Sequence, residues 1–238
     1  TSRPDQGPPR LAALRAELAR AGLDGFIVPR ADAHQGEYVA PADQRLGWLT
    51  GFTGSAGFCI VLPGLAGVFV DGRYRTQVKT EVDLAAFASV NWPETKPGEW
   101  LRRELPQGGR IGFDPWLHTA REIADLRLAL EGSGVELCPA GNPVDRIWTD
   151  RPAQPLGPVR IQPMEFAGET AADKRVRIGA DLAKAGQSAA VLTLPDSISW
   201  LLNIRGSDIE RNPVVQAFAI LRHNGQVTLF IAPEKLSD

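Results

Sequence analysis

One stretch of this sequence occurs twice, and that repetition restricts the fold more than any other feature. The first copy, Trp48 to Arg75, reads WLTGFTGSAGFCIVLPGLAGVFVDGRYR. It runs from a helical end (Trp48, Leu49) through a glycine-rich loop (Gly51, Gly54, Gly57) into two apolar β-like runs, Phe58 to Leu62 and Val68 to Val70. Pro63-Gly64 between the runs predicts a hairpin. A degraded copy runs from Trp200 to Ile231, with Trp, Leu, Gly and Ser at the same spacing and Ile204 in place of Phe52. There the runs are Phe218 to Leu221 and Val227 to Ile231, and Asn224-Gly225 is a strong hairpin turn. An amphipathic helix ending in Ala-Gly and a short strand precede each copy. One duplicated plan therefore predicts two related α/β domains.

The remaining elements follow from periodicity and punctuation. Leu11, Leu14 and Leu18 mark a helix over residues 10–21, opened by Pro8-Pro9 and stopped by Gly22. Phe26-Ile27-Val28 is a short buried strand. Residues 30–43 are polar and irregular and hold Asp32, His34, Glu37 and Tyr38; residues 44–50 form a helix feeding the glycine loop. After the hairpin come a helix over 74–82, a strand over 87–90, a helix over 99–105 and a strand over 110–114. Thr119 and Glu122 spell a capping box that opens the next helix, and Val135 to Cys138 is a further strand. Five prolines between Pro143 and Pro163 interrupt regular structure, which places the linker near Arg151 to Arg160. The expected domains are 1–155 and 156–238. The second opens with a helix over 170–185 and a strand over 189–194. Roughly 70 residues of helix and strand follow the first hairpin, against Ala232 to Asp238 after the second. A sheet built so far leaves an open edge, so the expectation is a second domain cut short.

Composition narrows the function classes. The chain has 238 residues, 43% apolar and 23% charged, with a net charge of −2. No basic patch or tail invites nucleic acid or an anionic membrane, and no run of about 18 apolar residues spans a bilayer. The polar, proline-rich start is unlike a signal peptide. Cys59 and Cys138 read as two buried, reduced thiols. Trp48 and Trp200, matched in the repeat, read as core residues; Trp92, Trp100, Trp116 and Trp148 fit core or interface.

Chemistry-bearing motifs are sparse. His34, His118 and His223 lie far apart, without HExxH or CxxC, and no carboxylate set stands out among the 28 acids. Thr53-Gly54-Ser55-Ala56-Gly57 falls short of a nucleophile elbow, which needs a glycine in place of Thr53 and a strand before the turn. The glycine loop opens a strand rather than a helix and lacks Gly-Lys-Ser/Thr, so tight turning explains it better than phosphate binding. Asp71-Gly72-Arg73-Tyr74 admits two readings. One is a strand-end turn with Asp71 capping the next helix and Arg73 solvated. The other has Arg73 and Tyr74 projecting toward a partner domain or a ligand carboxylate.

Together, Gly51 to Gly57, Asp71 to Tyr74, Ile111 to Thr119, Val144 to Trp148 and Ser199 to Asp208 closely resemble the three-domain Xaa-Pro aminopeptidases. The resemblance spans nearly the whole chain. It implies two creatinase N-terminal-type domains, each a mixed β-sheet flanked by helices. It also implies that a third, catalytic pita-bread domain is absent here. In the family that domain holds two divalent metals, usually manganese, on two Asp, one His and two Glu, and they activate a water for metal-assisted hydrolysis. None of those ligands maps onto this chain, so no catalytic or metal residue is assigned.

The implied role is support. These domains shape the entrance for short peptides with proline second and help form a homodimer, in a cytoplasmic enzyme. Arg73 and Tyr74 are the residues expected to face substrate. The competing expectation is a peptide- or histone-binding module of an inactive peptidase-like protein. Prolidase or creatinase, with a single such domain, fits the repeat less well.

Overall fold

The computed structural model describes residues 3–237, and its contacts divide the chain into two units. The first comprises Asp43–Pro152 with the described residues up to Asp32; the second comprises Ala33–Ala42 with the described residues from Ala153 onward.

In the first unit, α1 (Gly7–Arg20) precedes β1 (Gly25–Pro29), and α2 (Arg45–Thr50) leads into the hairpin β2 (Phe58–Val61) and β3 (Ala66–Val70). Then follow α3 (Gln77–Glu81), β4 (Ala88–Asn91), α4 (Pro97–Glu104), β5 (Gly109–Phe113), α5 (Ala120–Leu130), β6 (Val135–Pro139) and α6 (Pro143–Ile147). The six strands form one mixed sheet in the order β4-β3-β2-β1-β5-β6. β1–β2 and β2–β3 are antiparallel, while β3–β4, β1–β5 and β5–β6 are parallel.

Alternate strand residues face opposite sides of a sheet, and here both sides are covered. Phe26, Val28, Cys59, Val61, Val68 and Val70 face one core with Leu11, Leu14 and Leu18 of α1 and with Val144 and Trp148 at α6. Ile27, Ile60, Phe69, Ile111 and Phe113 face a second core with Trp100 and Leu101 of α4 and Ile123 and Leu130 of α5. Burial on both sides is why β1 and β3 read as unbroken apolar runs. α5 opens on the expected capping box, with Thr119 accepting from the Glu122 amide and Glu122 from the Thr119 amide.

The second unit holds β7 (Arg160–Ile161), α7 (Met164–Ala167), α8 (Ala171–Lys184), β8 (Ala189–Leu192), α9 (Pro195–Leu202), β9 (Ile204–Arg205), β10 (Phe218–Arg222) and β11 (Val227–Phe230). Its main sheet runs β11-β10-β8, all antiparallel, and β7 pairs with β9. The α8-β8-α9-β10-β11 series repeats α1-β1-α2-β2-β3, down to a left-handed glycine after each first helix (Gly22, φ 64°; Gly186, φ 70°). Asn224-Gly225 turns the second hairpin, with Gly225 at φ 79°. A buried ion pair joins Lys235 Nζ to Asp208 Oδ2 at 2.7 Å, and Asp208 also accepts from the Gln216 amide.

Three local expectations are corrected. The helix after β3 begins at Gln77, not Tyr74, because the Asp71 carboxylate accepts the Arg73 amide at 2.9 Å and holds a turn instead. Trp200 is 44% exposed rather than core, and Trp48 is only half-buried. Cys59 is buried, its thiol pKa pushed up by that burial, whereas Cys138 is partly exposed.

Candidate functional site

The glycine loop and the turn after β3 meet at one end of the first unit's sheet. Gly51 takes the left-handed conformation that ends α2 (φ 86°). Thr50 ties the exit by donating its hydroxyl to the Leu46 carbonyl and accepting the Phe52 amide. Phe52 is thereby buried, 2% exposed, and the loop closes round its ring. A side chain at Gly54 would collide with that ring, and one at Gly57 would lie 2.7 Å from the Phe69 carbonyl oxygen. Close packing of the Phe52 ring accounts for Gly54, and the close approach of the Phe69 carbonyl at a positive φ accounts for Gly57.

The polar groups of the loop are held from the other side of the hairpin. The Thr53 amide and hydroxyl donate to the two Glu81 carboxylate oxygens at 2.8 and 2.7 Å. Gln77 of α3 donates to both Thr53 and Glu81. Ser55 Oγ and the Tyr74 hydroxyl lie 2.5 Å apart, and the Tyr74 ring meets Phe52 edge-on at 5.6 Å. That hydrogen bond to Ser55 lowers the Tyr74 phenol pKa.

Arg73 and Tyr74 stand side by side in the turn. The Arg73 guanidinium reaches Asp71 through Nη2 at 2.7 Å and Nε at 3.1 Å, and its carbon lies 5.1 Å from the Tyr74 ring centre. The same guanidinium holds the Asp71 carboxyl below the usual range. Asp71 thus caps the turn and orients Arg73, whose side chain remains 64% exposed. Arg75 pairs with Glu94 on the same rim.

This arrangement suits binding more than bond-breaking. Ser55 meets a tyrosine rather than a general base, so no activated nucleophile is assembled. An anchored guanidinium beside aromatic and hydroxyl groups suits a carboxylate or a peptide backbone. The sequence drew attention to Arg73 and Tyr74 but not to Ser55 as the partner of Tyr74, nor to the Thr53–Glu81 pair that holds the loop. The Thr-Gly-Ser hydroxyls were the only available signal, and the hairpin that folds them back is a tertiary fact.

The histidines sit apart. His34 stacks on Phe218 at 4.5 Å and donates Nδ1–H to the Thr193 carbonyl. His118 lies edge-on to Phe113, and His223 is exposed in the β10–β11 turn. Among the described residues no three of His, Cys, Asp or Glu are grouped to hold a metal ion. No described helix is long and apolar enough to cross a membrane.

Residues 10–147 match the creatinase/prolidase N-terminal domain family, and residues 150–238 match a second family of the same description. A probable Xaa-Pro aminopeptidase P of Coccidioides posadasii is 37% identical over 96% of this chain and 36% of its own length. Its counterpart in Ajellomyces dermatitidis is 38% identical over 95% of this chain and 37% of its own. Among solved structures, the X-prolyl aminopeptidase of Caenorhabditis elegans, described as a cytosolic enzyme with a di-nuclear active site, superposes with a TM-score of 0.89. It is 34% identical, over 97% of this chain and 39% of that one. The chain therefore spans little more than a third of the length of these relatives.

Proposed function

The chain belongs to the creatinase/prolidase N-terminal domain family and carries two such domains; on that premise we propose that it is the N-terminal region of a metal-dependent Xaa-Pro aminopeptidase. Such an enzyme releases an N-terminal residue that precedes proline. The observation that carries this reading is the paired domain match, covered almost end to end by relatives of that name. The division between the two domains is placed near residue 155.

The residues present do not fit a di-nuclear metal centre, since the described part groups no metal ligands. Hydrolysis, and the metal pair expected to be manganese, are assigned to the remainder of the polypeptide. This region supplies the walls of the substrate entrance and part of a homodimer contact, in a cytoplasmic enzyme acting on short peptides with proline second.

Within that role Arg73 contacts the substrate and Tyr74 flanks it. Asp71 fixes the guanidinium through two nitrogens, so the charge is already oriented when a peptide arrives and less side-chain entropy is lost on binding. Arg73 is accordingly expected to meet the free carboxylate of a short peptide. In the full-length enzyme, Arg73→Ala should raise KM for a proline-second tripeptide about 5- to 20-fold with kcat changed less than about twofold. The penalty should disappear with the tripeptide amide, and Arg73→Lys should restore little. An unchanged KM, or an equal penalty on the amide, would remove Arg73 from the substrate path.

A further inference from the structure

β3 and β4 are parallel neighbours, so their C-terminal ends open side by side, on the edge where open α/β sheets bind ligands. Val70 and Asn91 are register partners, and the Trp92 amide donates to the Val70 carbonyl at 2.9 Å. On one side the chain continues into Asp71 and the turn that presents Arg73. On the other, the Asn91 carbonyl accepts the Thr95 amide at 2.9 Å and closes a second turn, which carries Trp92. Arg75 pairs with Glu94 and joins the two turns again. Trp92 thus stands one strand spacing, about 5 Å of backbone, from the Arg73 turn.

A ladder of rings backs the indole. Trp92 meets Phe58 edge-on at 6.3 Å, Phe58 stacks on Phe69 at 4.5 Å, and Phe69 meets Trp100 edge-on at 5.5 Å. Phe69 and Trp100 are buried, so the ladder is anchored in the core, yet its outer rung, Trp92, is 36% exposed. A single exposed apolar side chain is ordinary. Trp92 differs in being fixed by its backing and by both tethers. It offers a flat apolar surface at little cost in side-chain entropy, next to a guanidinium that Asp71 also holds in place.

We propose that Trp92 selects the third residue of the substrate, its indole packing on an apolar or aromatic side chain there. This rests on the reading of Arg73 as the anchor for the carboxylate of a short peptide. In a proline-second tripeptide that carboxylate belongs to the third residue, so holding it fixes the α-carbon one bond away. The side chain leaves from the same carbon, and the neighbouring turn with Trp92 lies within reach of a leucine or phenylalanine. Covering the indole removes apolar area from water on both partners, whereas glycine in that place leaves it wet. Trp92 touches no reacting atom in this role; it discriminates between peptides.

The test compares kcat/KM of the full-length protein, with manganese, for two proline-second tripeptides, one ending in phenylalanine and one in glycine. The wild type should favour phenylalanine about 5- to 20-fold, modest against an enclosed apolar pocket because the indole stays partly wet. Trp92→Ala should lower that ratio at least about fivefold, and Trp92→Phe should keep most of it. Both peptides are measured on the same sample, so the ratio does not depend on how much of a variant folds. A wild-type ratio near one overturns the proposal. So does a ratio that Trp92→Ala leaves intact, which would make Trp92 a structural cap on the ladder. Labelling the unsubstituted full-length protein with 5-fluorotryptophan gives a second reading that needs no turnover. The Trp92 resonance, assigned by its loss in Trp92→Phe, should shift saturably with prolyl-phenylalanine and much less with prolyl-glycine; equal shifts, or none, overturn the proposal. These outcomes separate from those of the enzyme reading. Xaa-Pro hydrolysis without selectivity at the third residue removes Trp92 alone, whereas a selective Trp92 shift without hydrolysis removes only the assigned activity.

Discussion

His118 is half-buried against Phe113, and burial lowers its pKa more than Glu122 and Asp114 raise it. Its Nε2 has no hydrogen-bond partner among the described residues. The folded state therefore disfavours the charged imidazole relative to the unfolded chain. As pH falls through the ordinary value of 6.5, the unfolded chain takes up a proton that the folded one resists, so stability drops. Urea denaturation between pH 7.5 and 5 should show that decline, and His118→Gln should flatten it; an unchanged slope would mean the imidazole protonates as readily when folded. Gly54 gives a second prediction. Gly54→Ala drives a methyl into the Phe52 ring and should cost about 1–3 kcal/mol by overpacking, read as a lowered urea midpoint. Because Phe52 supports Tyr74, the same change should disturb the Ser55–Tyr74 hydrogen bond. At this scale much was legible. The glycines read as turn and packing residues, and Asp71 stood two positions from Arg73. The Ser55–Tyr74 contact was not, since only the folded hairpin brings those positions together.

The elements formed largely where periodicity placed them, because buried strands and amphipathic helices carry their burial pattern in sequence. α5 is the clearest case, with its reciprocal cap visible in Thr119-x-x-Glu122. Thr119→Ala should cost about 1 kcal/mol, measured by thermal unfolding, with Thr119→Ser close to wild type. α3 started at Gln77 rather than at residue 74, because the Asp71 carboxylate accepts the Arg73 amide and holds a turn ahead of the helix. The exposure of Trp200 was hidden for a different reason. The repeat reveals that two tryptophans occupy equivalent places, but not whether each is covered. A buried ionic network was also invisible in the sequence. Arg45 binds Asp145 through Nε and Nη2 at 2.7 and 3.0 Å and Asp43 through Nη1 at 2.9 Å, and Arg151 pairs with both carboxylates. Arg45→Met should destabilise the first unit by about 2–4 kcal/mol in urea, toward the lower end because Arg151 still serves both acids.

Over the whole chain, two units built on one plan follow from the repeat, and the structure shows the same strand order in both, β3-β2-β1 and β11-β10-β8. Residues 33–42 group with the second unit, through contacts such as His34 on Phe218 and Ala40 with Ile209 and Val214. Nothing in that polar, irregular stretch announces a partner so distant in sequence. The candidate site follows the same rule: the turn that sets Arg73 beside Tyr74 was legible from Asp71-Gly72-Arg73-Tyr74, and the Ser55 contact that holds Tyr74 was not. On the function proposed above, this region serves an Xaa-Pro aminopeptidase without carrying its chemistry. The most direct measurement is release of the first residue from a proline-second peptide, by the full-length polypeptide and by the 238-residue chain, each with manganese. Release by the full-length protein that a chelator abolishes is expected, and none by the shorter chain. Release by the shorter chain at a comparable rate, or no release by the full-length protein, would contradict it.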